Sequence, residues 1–280
     1  VEVQPWSGPV LGATVVSVRG RGLLAGELQC RFGESDGAMA WSGGASRLRC
    51  ASAPSAVTGW VGVQLSSFYG ALSSGGSFYY HAPLVASALT PALGPERGGT
   101  RVTVLGSFFR DAYTLRCRFE NASAAVLARY VDDNQLECSS PVHSLGPKRL
   151  MLSMNGQQYD EGTLTFTYQA AAAVSSVSPA SALAEGGTPV TVHGAHFSAA
   201  SEALGLLLCR IGSTVRRAVW ASSTAVVCNT TRSVAGEVRV EVSNNGREYT
   251  SDGVRLQLVS VRGGAVQPRS GAVRGAPVGS

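Results

Sequence analysis

The sequence predicts an all-β chain of three tandem β-sandwich domains. One phrase occurs three times: Cys30-Arg31-Phe32-Gly33, Cys117-Arg118-Phe119-Glu120 and Cys209-Arg210-Ile211-Gly212, spaced 87 and 92 residues apart. Each phrase is followed by one more cysteine (Cys50, Cys138, Cys228) after 20, 21 and 19 residues. Each is preceded by a glycine-threonine stretch running into a valine-rich segment: Gly12-Ala13-Thr14, Gly98-Gly99-Thr100 and Gly186-Gly187-Thr188. A period of about 90 residues is too long for a solenoid unit and suits a small two-sheet sandwich. The expected domains are 1–83, 84–170 and 174–259, with a tail over 260–280.

The second repeat shows the expected strands in order. A short first strand covers 84–89. Arg101 to Leu105, Thr114 to Phe119, Ala125 to Val131, Gln135 to Cys138, Arg149 to Met154 and Leu164 to Tyr168 follow. Apolar and polar residues alternate in most of them, as half-buried strands require. Gly, Pro, Asn and Asp lie between them. No segment of useful length carries helical periodicity. Leu152 to Tyr159 matches Val242 to Tyr249, and each contains Asn-Gly, which predicts a two-residue hairpin turn with positive φ at both central residues. The tail from about Gly263 is rich in Gly, Pro, Ser and Arg and reads as a linker or disordered segment.

Six cysteines, two per repeat at matched positions, predict the disulfides Cys30–Cys50, Cys117–Cys138 and Cys209–Cys228. The two cysteines of a pair sit on strands either side of a connecting segment, placed to bridge neighbouring strands. Each bridge would close a loop of about 20 residues and contribute roughly 3 kcal/mol. Six buried reduced thiols are the competing reading. Disulfides imply a secreted or lumenal protein. In that setting Asn121-Ala122-Ser123 and Asn229-Thr230-Thr231 are N-glycosylation sequons, with Asn121 and Asn229 expected at solvent. Thr230 has the alternative role of a turn hydroxyl.

Composition excludes several classes. The net charge of +5 divides almost evenly, each repeat being near neutral, and the tail adds Arg262, Arg269 and Arg274. A nucleic-acid binder would concentrate charge on its folded part. No apolar run of about 18 residues is present, so no membrane span is expected in this segment. The chain opens at Val1 without a signal peptide, which reads as a fragment or processed product. Arginine outnumbers lysine 22 to one, the one being Lys148, as GC-rich coding would produce.

The order Pro91, Gly94-Pro95, Gly98-Gly99-Thr100, Val102-Thr103-Val104, Gly106, Phe109, Cys117-Arg118-Phe119, Cys138-Ser139-Ser140-Pro141, Asn155-Gly156 and Phe166-Thr167-Tyr168 resembles an IPT/TIG domain. The third repeat matches through Pro179, Gly186-Gly187-Thr188, Gly194, Phe197 and Asn245-Gly246, and departs at Ile211. The first matches through Gly8-Pro9, Gly12, Cys30-Arg31-Phe32, Cys50 and Phe78-Tyr79-Tyr80, and lacks the Asn-Gly turn. The resemblance implies an immunoglobulin-like, early-set sandwich, as in plexins, hepatocyte-growth-factor-type receptors and protist and algal surface proteins. With the arginine- and alanine-rich composition it also fits a green-algal surface or gamete-adhesion protein. Family members include adhesion proteins, receptor ectodomains, DNA-binding factors and modules of enzymes, so fold alone does not give function.

No catalytic constellation is expected, and no metal or cofactor. Gly20-Arg21-Gly22 begins a dinucleotide-like fingerprint, but the aligned segments of the other repeats show a strand ending in a loop. His193 and His196 fall on opposite faces of an extended backbone. Asp132-Asp133 and Asp160-Glu161 lie at turns, where solvated acids are ordinary. The expected function is therefore non-enzymatic: an extracellular adhesion or recognition segment, presenting loops and edge strands to a protein partner on a cell surface or in the matrix. The alternative is a structural repeat segment of a cell-wall, matrix or flagellar surface assembly. Phe68 and Tyr69 are the candidate partner-binding pair. They fall where the second repeat has its polar turn, and neighbours on a strand cannot both face one core.

Overall fold

The structure, a computed structural model, describes residues 2–20, 28–35, 38–42, 46–67 and 70–260. It is built almost wholly of strands. In the second repeat Arg101–Ser107 places Val102 and Val104 inward, both fully buried, with exposed or half-buried residues between them. The same period of two puts Cys117 and Phe119 inside from Arg116–Phe119, and Leu136 and Cys138 inside from Gln135–Ser139. These residues with Phe109, Leu115, Leu150, Leu152, Phe166 and Tyr168 form one core cluster. A second cluster is confined to residues 3–80 and a third to 174–258. Immunoglobulin-like sandwiches of this kind bury alternate residues of two facing layers.

The first strand of each repeat switches sides. Val85–Thr90 pairs antiparallel with Arg101–Ser107. The chain then passes the cis Thr90–Pro91 peptide, and Leu93–Pro95 runs parallel to the last strand, Leu164–Gln169. Glu2–Gln4 with Ser7–Pro9, and Ala173–Ser178 with Ser181–Leu183, repeat this arrangement. The first and third repeats each have one four-stranded and one five-stranded sheet. In the second repeat Val126–Asp132 pairs with both Gln135–Ser139 and Arg116–Phe119, and this corner merges the two layers into one eight-stranded sheet. Among the described residues the helical exception is Ala199–Ala203, capped by Ser198, whose hydroxyl accepts from the Ser201 amide at 3.2 Å.

The glycine-threonine stretch has a steric cause. Gly98 has φ 72°, and a side chain there would meet the Pro141 carbonyl carbon at 2.5 Å. The turn brings the Thr100 amide onto the Ser140 hydroxyl at 3.1 Å. Thr14 on Ser52 at 3.1 Å and Thr188 on Thr230 at 3.0 Å repeat the contact, giving Thr230 its turn role.

Two local expectations change. Cys30, Cys117 and Cys209 lie on strands that pair with the long hairpin strand, whereas Cys50, Cys138 and Cys228 lie on the strand paired with the valine-rich one. The bridges therefore cross between layers instead of joining neighbouring strands. The Asn-Gly phrase also differs from a two-residue hairpin. Gly146–Ser153 ends ten residues before Leu164–Gln169 begins. Gly156 and Gly246 take positive φ, but Asn155 and Asn245 do not. Each asparagine instead uses its side-chain oxygen to organise the loop, accepting from the amides of Gln157 and Gln158 at 2.9 and 3.2 Å, and from those of Arg247 and Glu248 at 3.0 and 3.1 Å. Such Asx turns satisfy local amides without left-handed backbone at the asparagine.

Candidate functional site: the seams between repeats

The structure joins Cys30 to Cys50, Cys117 to Cys138 and Cys209 to Cys228, with Cα atoms 6.2, 6.3 and 6.1 Å apart. All six side chains are buried. Asn121 is exposed, at φ 61°, just past the Cys117 strand, and Asn229 is exposed at the end of Ala225–Asn229. Phe68 and Tyr69 lie outside the described residues. Asp132 accepts from the Asn134 amide at 2.8 Å, and Asp133 accepts from the Tyr130 hydroxyl, whose pKa is pushed up to about 12 chiefly by that bond. Burial raises the Asp160 carboxyl above its ordinary range, although it accepts from the Leu152 amide at 2.8 Å. His193 and His196 are exposed, and His196 meets the Ala171 carbonyl at 3.1 Å. Among the described residues no group of three metal-type ligands gathers. No described helix is long and apolar enough to cross a membrane.

The arrangement that does bring functional side chains together lies between repeats. The loop after Ser153 reaches back to the first repeat. Asn155 donates to the Thr14 hydroxyl at 3.1 Å and to the Ser7 carbonyl at 3.4 Å. Gln158 donates to the Ala13 carbonyl at 2.8 Å and accepts from Thr14 at 3.0 Å. Gln157 pairs with both backbone groups of Val15, accepting and donating at 2.8 Å, as a neighbouring strand would. The third repeat meets the second in the same way. Asn245 donates to the Leu93 carbonyl at 3.2 Å and to Glu248, while Thr100 donates to Glu248 at 2.9 Å. Asn155 and Asn245 are buried, as are Thr14 and Thr100. Buried polar groups with partners of this kind specify one mutual orientation, because losing a partner leaves a desolvated donor or acceptor.

Each docking loop is braced from below. The Ser153 hydroxyl accepts from the Gly156 amide at 2.9 Å, as Ser243 does from Gly246. The arginine of the repeated cysteine phrase stacks on the tyrosine that closes the loop: Arg118 over Tyr159 at 3.9 Å and Arg210 over Tyr249 at 4.2 Å. Cation–π contacts of this type are worth about 0.5–1 kcal/mol at exposed sites. The repeated Arg thus has a physical role that its sequence position alone did not reveal. The signal for the seams was also in the sequence: Ser-x-Asn-Gly-x-Gln/Glu in repeats two and three, facing a threonine in repeats one and two.

An aromatic cluster flanks the first seam. Trp6 and Trp60 stack with centroids 5.6 Å apart, and Trp60 meets Tyr79 edge-on at 5.3 Å. From the second repeat, Arg110 sits 4.7 Å over the Tyr79 ring. Trp6 also packs against the core of the second repeat. Trp60 remains 63% exposed, beside an open cleft lined also by Asp111, Tyr130 and Asp133.

Human plexin-A3 is 27% identical over 116 residues, which is 41% of this chain and 6% of that protein. Human fibrocystin-L is 26% identical over 171 residues, 60% of this chain and 4% of that protein. The chain thus spans only a small part of the curated relatives it matches. The extracellular region of plexin A4 superposes over 84% of this chain and 21% of that one, at 18% identity and a TM-score of 0.48. A profile of the IPT/TIG domain matches residues 84–168 and 172–258, well over half of the sequence. The chain therefore belongs to the IPT/TIG domain family.

Proposed function

We propose that this chain is a non-enzymatic, extracellular recognition segment of a receptor or adhesion-type protein. Its units are 1–83, 84–170 and 174–259, with 260–280 as a tail or linker, and it presents surfaces to a protein partner on a cell surface or in the matrix. The observation that carries this reading is the repeated seam, in which a buried asparagine loop of one unit locks onto the threonine edge of the unit before it. Such seams serve no reaction but hold successive domains in a fixed relation. Three cross-layer bridges and two exposed sequon asparagines suit an oxidising, secretory setting. The plexin relatives support a receptor or adhesion context. The Trp60 cluster is the contact surface we assign, with Phe68 and Tyr69 as a second aromatic pair in the same repeat, because exposed aromatics carry much of the energy of protein interfaces.

Beads carrying the oxidised chain, mixed with cells of the source organism, test this. The proposal expects saturable binding that is competed by free chain and is weakened by Trp60→Ala far more than the small loss of melting temperature from its ring contacts accounts for, the variant chain remaining folded. Absence of binding together with self-assembly of the chain into fibres would replace it with the structural-assembly reading.

A further inference from the structure

The third repeat carries the same glycine-threonine edge that receives a loop in repeats one and two, but its chemistry differs. Ser7–Pro9, Leu93–Pro95 and Ser181–Leu183 occupy equivalent places, each parallel to the last strand of its repeat. Their central residues are Gly8, Gly94 and Ala182. A side chain on Gly8 would lie 2.1 Å from the Thr14 hydroxyl and 2.8 Å from the Phe78 ring. On Gly94 it would lie 2.3 Å from the Thr100 hydroxyl and 2.8 Å from the Phe166 ring. In the third repeat Ala182 has that methyl group, and both of its would-be neighbours differ. Leu256 stands in the register of Phe78 and Phe166. The Thr188 hydroxyl accepts from the Leu183 amide at 3.3 Å. Pro9 and Pro95, at the position of Leu183, have no amide hydrogen to offer. Thr14 and Thr100 are fully buried beneath their incoming loops, whereas Thr188 is half-buried.

We propose that Gly-Pro, with the threonine and phenylalanine it contacts, forms a socket for the Ser-x-Asn-Gly-x-Gln/Glu loop of the next IPT/TIG domain, and that Ala182, Leu183 and Leu256 close this socket in the third repeat. The glycine gives the threonine hydroxyl room, and the proline offers its oxygen no local amide, so the oxygen stays open to a donor of the incoming loop, as Asn155 supplies at Thr14. With alanine and leucine in their places, the oxygen accepts instead from the Leu183 amide of its own repeat. Fixed coupling therefore runs from the first repeat to the third, and any domain placed after the third is held less firmly. This inference does not depend on which partner the segment binds.

The test appends residues 170–260 directly after Val259 of the full chain, reproducing the spacing of the second seam, with spin labels on either side of the new junction. Pulsed dipolar spectroscopy should give a broad distance distribution. Restoring the socket with Ala182→Gly, Leu183→Pro and Leu256→Phe should narrow it to the width seen across the native second seam. Asn245→Ala in the appended copy should broaden it again. A reciprocal variant guards against misfolding of the triple substitution: Gly94→Ala, Pro95→Leu and Phe166→Leu should broaden the native second seam while hydrogen-exchange protection of Gln135–Ser139 persists. A narrow distribution with the unaltered third repeat would overturn the proposal. So would a native second seam that stays narrow in the reciprocal variant.

Discussion

Gly94→Ala is expected to destabilise the second repeat by about 1–3 kcal/mol, the usual cost of adding a methyl group to a filled site. The backbone is not the obstacle, because Gly94 lies outside the left-handed region. The obstacle is contact: the new methyl would stand 2.3 Å from the Thr100 hydroxyl and 2.8 Å from the Phe166 ring, the latter well inside the carbon–carbon optimum of about 3.5–4.0 Å. Phe166 is fully buried and is held edge-on by Phe119 at 5.5 Å and Tyr168 at 4.9 Å, so it has little freedom to move aside. Phe166→Leu alone should also destabilise, by about 1–3 kcal/mol, through lost edge contacts and the space left behind. Together the two changes should cost less than their sum by about 1 kcal/mol or more, because the methyl occupies space that the ring vacated. The third repeat holds this pairing naturally, as Ala182 with Leu256. The tryptophans are Trp6, Trp41, Trp60 and Trp220, none of them in the second repeat. The assay is therefore hydrogen-exchange mass spectrometry of peptides covering Arg101–Ser107 and Leu164–Gln169. If the single effects add within about 0.5 kcal/mol, the two positions are independent and the packing argument fails.

Replacing Cys117 and Cys138 together by alanine should lower the stability of the second repeat by about 3 kcal/mol, and non-reducing peptide maps of the native chain should recover the three bridges and no inter-repeat link. Enzymatic removal of glycans from natively secreted material should convert Asn121 and Asn229 to Asp by mass; two unmodified asparagines would count against the secretory reading. Burial pushes the His81 imidazole below its ordinary pKa of 6.5, with the Arg110 charge acting in the same direction. The folded state thus resists a proton that the unfolded chain accepts, so stability holds above about pH 6.5 and declines as the pH falls below it. Melting followed by tryptophan fluorescence between pH 7.5 and 5 should show this decline, and His81→Asn should flatten it.

Much of the fold was legible because alternation is local. Val102, Val104, Cys117, Phe119 and Cys138 each announce an inward face within a few residues of sequence. The cysteine pairs were legible because repetition supplied a register. The corner made by Val126–Asp132 was not, since which strands it joins depends on pairings made through space. The Asn-Gly loops show the same limit. Their sequence favours a tight hairpin, and local propensity gives no sign that Asn155 bonds to Thr14, 141 residues away. Gly8 and Gly94 were visible only as family marks. Their reason, room for a threonine hydroxyl and a phenylalanine ring, appears once the last strand lies beside the first.

In each repeat that first strand and last strand run parallel, as Leu93–Pro95 does beside Leu164–Gln169. The Thr167 amide bonds to Ala92 and the Glu96 amide to Gln169, both at 2.8 Å. Tension applied through the chain would draw these two strands past one another lengthwise. Their hydrogen bonds would then be loaded together in shear, not opened one at a time from an end. The cysteine bridge, which lies between the two strands in sequence, keeps the residues it encloses from adding to the extension even after the repeat yields. A segment with this geometry resists a pull between two surfaces, and it limits how far it lengthens when it fails.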